Sequence, residues 1–261
     1  MSSPTEPVLA RADGPVLTVT LNRPRRKNAL DDHGWALLLE VLRRARDDES
    51  VRVVVVTGAE GDFCAGADVG GYRREGHPLT RTRFISDVAR ALHDLPQPVI
   101  ARVDGVAVGA GCSLALAADL VVATPHARFS QIFVRRGLSP DFGSSWLLPR
   151  VVGLQQAKRL ALLGEILDAG EAERIGLVTW IRPREEIDSF VDDLAATLAA
   201  GPPVAQALTK RMLDASLTST FEEALDAEAR ALAVNLATDA PAARKAFVER
   251  TEAVFEGRWQ V

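Results

Sequence analysis

The stretch that most restricts the fold is VIARVDGVAVGAGCSLALAAD, residues 99–119. A β-branched run at 99–103 feeds a glycine-rich turn, and the turn feeds an apolar helix expected over 112–118. A strand that stops at such a turn leaves backbone N–H groups unpaired at a helix N-terminus, where the helix dipole favours negative charge. A second stretch of the same kind, GDFCAGADVGG at 61–71, follows a strand expected over 51–57. Backbone donors from two such loops can meet on one oxygen.

Around these loops the pattern alternates. Residues 8–12 and 16–21 read as strands around an Asp13-Gly14 turn. Asp31 or Asp32 caps a helix running to about 48, with Trp35, Leu38, Leu39 and Leu42 at helical spacing. The β-branched run at 51–56 suits a strand buried on both faces. A helix is expected over 79–93, short strands over 120–123 and 127–131, and a helix-poor loop over 135–145. Helices over 155–163 and 169–176 and a strand over 178–181 follow. From 184 on the pattern is helical only: 184–200, 203–216, 220–237 and 239–254. This is an α/β core, residues 1–200, with a C-terminal α-helical region, 201–261.

A chain of 261 residues can bury a large core, and 47% hydrophobic with 25% charged residues is ordinary for a globular protein. A net charge of −4 offers nothing to nucleic acid or an anionic membrane. Cys64 and Cys112 form no disulfide framework, which fits a reducing, cytoplasmic setting. The first residues, MSSPTEPVLA, lack the pattern of a secretory leader, and no run of about 18 apolar residues calls for a membrane span. No His, Cys, Asp and Glu cluster has metal-ligand spacing.

The segments LNRPRRKNAL at 21–30, FCAGAD at 63–68, VDGVAVGAGCSLALAADL at 103–120, ARFSQ at 127–131 and GLSPDFGSSWLLPRVVG at 137–153 together resemble the crotonase (enoyl-CoA hydratase/isomerase) superfamily. The resemblance covers nearly the whole chain. It implies a spiral of ββα units with a C-terminal helical region that builds a trimer or a dimer of trimers. It also implies an acyl-CoA thioester as substrate, with coenzyme A as part of that substrate and no separate cofactor. The thioester oxygen would rest on the N–H groups of Ala67 and Ala110, with Gly66 and Gly109 giving the ligand access to the main chain. Arg25, Lys27, Ala29 and Ala65 would lie along the CoA moiety, and the positive charges suit its phosphates. Asp68 stands either beside the substrate or at the cap of the next helix. Residues 70–90 would line the acyl pocket.

The chain departs from the family where a hydratase carries its two glutamates. Those positions hold Ser113 and Phe133, and neither can activate water or manage a proton unaided. One acid remains, Asp141 in Pro140-Asp141-Phe142-Gly143. PDFGSSWLLPR resembles the ring-opening and dienoyl-CoA isomerases of the family, in which a matching aspartate is the acid/base. Leu138, Phe142, Trp146 and Phe133 are expected to surround the carboxyl with apolar surface and raise its pKa. The implied reaction is a double-bond shift through an enolate. The alternatives are a hydratase or other crotonase reaction with a rearranged site, or an acyl-CoA binder without catalysis. A bland role for Asp141 is a turn residue or the cap of a helix near Ser144. A serine hydrolase built on Ser113 would need a base, and His33, His77, His93 and His126 lie in no motif.

Overall fold

A computed structural model describes residues 6–68, 70 and 77–259. Strands β1 (Val8–Asp13) and β2 (Val16–Leu21) form an antiparallel hairpin with Asp13 opposite Val16. The turn is Gly14-Pro15, one residue later than the sequence pattern suggests, because Gly14 takes the left-handed position at φ +54. β2 runs parallel to β3 (Val53–Gly58), β3 to β4 (Val99–Val103), β4 to β6 (Leu120–Ala123), and β6 to β9 (Trp180–Ile181). These strands make one six-stranded sheet in the order β1-β2-β3-β4-β6-β9.

The unbroken valine run of β3 follows from its place in that sheet. Val54 and Val56 point into the main core with Trp35, Leu38 and Leu42 of helix α1 (Asp32–Asp47). Val53 and Val55 point the other way, onto Ile187, Val191 and Ala195 of α7 (Ile187–Ala200). Both faces are covered, so alternation disappears. Asp31 caps α1 by accepting the Gly34 N–H at 2.8 Å. Helix α2 (Pro78–His93) opens with a proline at its first position and packs beside α1.

A smaller sheet carries the central loop. β5 (Val106–Val108) pairs parallel with β7 (Arg128–Ser130), and β7 antiparallel with β8 (Leu167–Asp168). The sequence pattern reveals neither β5 nor β8, since two or three residues between turns carry no period. The central helix α3 (Ala110–Leu116) is buried on every side, and it begins two residues earlier than expected. Helix α4 (Ser144–Val152) was raised only as a helix near Ser144, without bounds, because Pro149 interrupts its pattern. Helices α5 (Leu154–Leu163) and α6 (Ala169–Arg174) follow, and the last strand starts at Trp180 rather than 178.

After α7, helices α8 (Pro203–Ser216), α9 (Phe221–Ala237) and α10 (Ala240–Glu249) pack in succession. α7 starts at 187 rather than 184, and α10 stops at 249 because Arg250 takes a left-handed cap at φ +55. The ammonium of Lys210 on α8 donates to Asp119 Oδ2 at 2.8 Å, and the same oxygen accepts the Val99 N–H at 2.7 Å. One carboxylate therefore pins both the start of β4 and the helical layer to the core. Among the described residues no helix is long and apolar enough to cross a membrane.

Trp35 is 0% exposed at the centre of the main core. Trp35→Ala is expected to cost about 3–5 kcal/mol in urea unfolding. Leu9→Ala, at a residue 41% exposed, is expected to cost no more than about 0.5 kcal/mol.

Candidate active site

The two glycine loops meet edge to edge. The Cys64 N–H donates to Val106 O at 2.8 Å and the Val108 N–H donates to Cys64 O at 2.9 Å, so the first loop runs as an extra strand along β5. Beyond that pairing the backbones come too close for side chains. A Cβ on Gly66, which has φ +90, would stand 2.7 Å from Val108 O and 3.2 Å from Ala110 N. A Cβ on Gly111 would collide with the Cys64 carbonyl. Gly109 turns the chain into α3 at φ 57, ψ −126, a conformation closed to other residues.

Ala67 and Ala110 end up on either side of this seam. Leu30 brackets Ala67: its N–H donates to Gly66 O at 2.9 Å and its carbonyl accepts the Asp68 N–H at 2.8 Å. The Ala67 peptide is thereby held, yet its own N–H is not used. Ala110 is the first residue of α3, where an N–H has no partner inside the helix. Among the described residues neither N–H donates a hydrogen bond. Two fixed, free donors of this kind can receive a substrate oxygen.

The 22–30 loop is braced against the first glycine loop. Asn28 is fully buried at φ +56; its side-chain amide donates to Asp62 O at 2.6 Å and Ala59 O at 2.9 Å and accepts the Arg23 N–H at 2.9 Å. The Ala65 N–H donates to Lys27 O at 2.9 Å, so Lys27, Ala29 and Ala65 lie along one edge. Arg25 is exposed, as is Lys27, whose ammonium lies 3.7 Å from Asp62. Asp68 faces Arg23 at 2.9 Å and accepts the Gly70 N–H at 3.0 Å, so its carboxylate serves as a brace between the loops. The bracing by Asn28 escaped the sequence reading, because an Asn in a basic loop looks like an ordinary turn residue.

Asp141 sits in the turn before α4, and α4 packs against α3. The turn is made by its backbone: Asp141 O accepts both the Ser144 N–H at 3.1 Å and the Ser144 hydroxyl at 3.0 Å. The carboxyl takes no part in capping. Its Oδ1 is buried without a hydrogen-bond partner, and burial pushes its pKa up to about 6 while the Arg81 charge pulls it back. The next residue, Phe142, adopts φ +53, a strained conformation for a bulky side chain. Its ring is 2% exposed and lies 5.5 Å from the Trp35 ring, which offsets that strain.

The expected apolar surround is only partly formed. Phe142 is buried, but Leu138 is 59% exposed, and the Trp146 ring packs against His93 at 5.6 Å and under the Arg150 guanidinium at 3.8 Å. Trp146 lies in the first turn of α4, and its ring reaches His93 at the end of α2. Phe133 is buried, its Cζ 3.9 Å from where a Gly109 Cβ would stand, and so it walls the central loop. Ser113 is fully buried and its hydroxyl donates to Gly109 O at 3.2 Å, an internal helix bond. His77 caps α2 and His93 meets Trp146, while His33 and His126 are exposed; no histidine hydrogen-bonds Ser113. Of the stretch expected to line the acyl pocket, residues 71–76 lie outside the described residues, and the rest is largely α2.

A family profile described as enoyl-CoA hydratase/isomerase matches residues 11–258. A 1,2-epoxyphenylacetyl-CoA isomerase of Escherichia coli is 38% identical over 229 residues, 85% of this chain and 87% of that protein. A short-chain-enoyl-CoA hydratase of Clostridium acetobutylicum is 34% identical, over 93% of this chain and 95% of its own. The crystal structure of an enoyl-CoA hydratase/isomerase from Cupriavidus metallidurans superposes with a TM-score of 0.90 at 36% identity, covering 99% of each chain. The profile match across the chain, with relatives of this identity and coverage, establishes that this protein belongs to the enoyl-CoA hydratase/isomerase family.

Proposed function

We propose that the protein is an acyl-CoA isomerase that shifts a double bond, with Asp141 as its acid/base. The observation that carries this reading is the Asp141 carboxyl itself, buried, unused by its turn, and raised to a pKa of about 6. Such a group takes a proton at neutral pH and can also return it. Asp141 removes a proton from the carbon α or γ to the thioester. The electron pair moves into the thioester, and the negative oxygen rests on the N–H groups of Ala67 and Ala110. The protonated Asp141 then returns the proton at the other end of the conjugated system, so nothing is gained or lost. Arg25 and Lys27 meet the CoA phosphates, and no cofactor is needed.

Hydration finds less support in the same residues. Ser113 spends its hydroxyl inside α3, and Phe133 is apolar. No second carboxylate occupies either position to activate water. The similarity to an isomerase of 1,2-epoxyphenylacetyl-CoA adds weight to proton-shuttling chemistry on an acyl-CoA. Assembly is part of the reading. Phe221 and Leu232 on α9 and Phe247 on α10 are 73%, 59% and 86% exposed, apolar area that a trimer or hexamer would cover.

The first test is absorbance. A 3-enoyl-CoA should gain thioester absorbance as it comes into conjugation, and a 2-enoyl-CoA should show no fall; a fall with the second substrate would identify a hydratase instead. Asp141→Asn should lower kcat about 10²–10⁴-fold and leave CoA-ester affinity intact. In the wild type, kcat/KM should drop as pH falls through about 6, where the base becomes protonated. The same group sets a stability trend of opposite sense. A carboxyl raised from 3.8 to about 6 stabilises fully below the lower value and loses that contribution, about 3 kcal/mol, as pH rises through the upper one. Asp141→Asn should therefore melt higher than wild type at pH 8, and the difference should shrink towards pH 4. Light scattering should return three or six chains per particle.

A further inference from the structure

We propose that Arg23 is a positioning residue for the reaction: its guanidinium ends a chain of two hydrogen-bonded peptide groups whose other end is the Ala67 N–H, and it aims that donor at the substrate oxygen. The inference rests on the reading of Ala67 as an oxyanion donor and adds the side chain that holds it in place.

The chain is short, and each link has a distance. Arg23 Nη1 donates to Ala29 O at 2.6 Å. Ala29 O belongs to the peptide whose N–H is that of Leu30, and the Leu30 N–H donates to Gly66 O at 2.9 Å. Gly66 O in turn belongs to the peptide whose N–H is that of Ala67. A trans peptide is planar, with its carbonyl and its N–H pointing in opposite directions. A bond that fixes Gly66 O therefore also fixes the line of the Ala67 N–H, away from the 22–30 loop. The parallel bridge between Leu30 and Ala67 has the same sense.

Arg23 is itself tied down. Its N–H donates to Asn28 Oδ1 at 2.9 Å, and its carbonyl accepts the N–H groups of Arg26 at 2.8 Å and Asn28 at 3.0 Å. Nη2 donates to Asp68 Oδ2 at 2.9 Å and lies 3.3 Å from Asp31 Oδ2. Ala29 precedes Leu30 and Asp68 follows Ala67, so the two arms of one guanidinium grip both sides of the bridge. A planar fork can do this, and the single ammonium of a lysine cannot. With two carboxylates beside Nη2, little of the charge is felt beyond these contacts. What reaches Ala67 is geometry, together with the polarisation that each hydrogen bond in a chain gives the next.

The plain alternative is that Arg23 only ties the 22–30 loop to the start of α1. Its loss would then lower stability, and the molecules that stay folded would hold a thioester as the wild type does.

The thioester carbonyl of a bound ligand separates the two, because a stronger hydrogen bond lowers its stretching frequency. The probe is a saturated acyl-CoA, isotope-labelled at that carbonyl and read by infrared difference spectroscopy on the full chain. Arg23→Met should move the bound band to higher frequency than in the wild type. It should lower kcat about tenfold, less than the roughly 10²–10³-fold expected when an oxyanion donor is removed outright. KM should change by less than about twofold, since the donor acts chiefly in the transition state. Arg23→Gln, too short to grip both partners, takes the place of Arg23→Met if that variant does not fold. Asp31→Asn keeps a good cap on α1 and should leave the band in place; a shift as large as that of Arg23→Met would mean that loop packing alone sets the donor, and would overturn the inference. An unmoved band in folded Arg23→Met or Arg23→Gln overturns it as well. If the wild type leaves the band where it lies in free solution, the oxyanion reading fails first and this inference with it. If the wild-type band is lowered and stays lowered in the Arg23 variants, only the role of Arg23 is lost.

Discussion

Two peptide segments in this chain lie closer together than a methyl group allows. Gly66 faces the carbonyl of Val108 and the nitrogen of Ala110, and Gly111 faces the carbonyl of Cys64. The approach is closed on both sides by hydrogen bonds, Cys64 to β5 and Leu30 to the peptides around Ala67. Each of these bonds satisfies a neighbour of the two alanines and leaves the alanine N–H groups themselves unspent. Among the described residues neither alanine N–H has a hydrogen-bond partner, which leaves two backbone donors on adjoining segments available to a ligand oxygen. Side-chain identity at Ala67 and Ala110 hardly matters, whereas the glycines beside them have no substitute.

In the turn before α4 the chain tolerates cost. Phe142 takes a left-handed conformation, and the Asp141 carboxyl is buried without a hydrogen bond. Neither feature stabilises a turn that Ser144 already closes through the Asp141 carbonyl. Both are held by the Phe142 ring, locked against Trp35 in the main core. The Trp35 ring of α1 thus fixes the Asp141-Phe142 turn, and the same helix start holds Arg81 through Asp32.

Much of this was legible in the residues, and the limits have physical reasons. The unbroken valine run of β3 and the apolar spacing of α1 are strong signals, and the glycine pattern marks the two loops. β5 and β8 are too short to show a period, and Pro149 hides the extent of α4. Asp141 could be singled out by its segment, but the roles of its neighbours could not. Trp146 and Leu138 are as apolar as Phe142, and only packing decides that one ring turns to Trp35, another to His93, while Leu138 faces outward. Arg81 gave no sequence signal because its partner Asp32 lies 49 residues away. Asn28 gave none because its three bonds run to backbone atoms of other turns as well as its own.

The two positions where a hydratase carries glutamates show what the loss of a carboxylate does to such a site. With Ser113 folded back onto the Gly109 carbonyl, the start of α3 closes on itself without a charge. With Phe133 against Gly109, the wall beside the seam is apolar. Both changes remove water-handling groups and lower the local polarity, which strengthens the field of any charge that remains. The proposed isomerisation needs only one carboxyl, and Asp141, raised to about 6 by burial, is the group that reading assigns to it. Addition of water by a two-carboxylate route would need a second acid, and Phe133 and Ser113 hold the two positions where one would be expected.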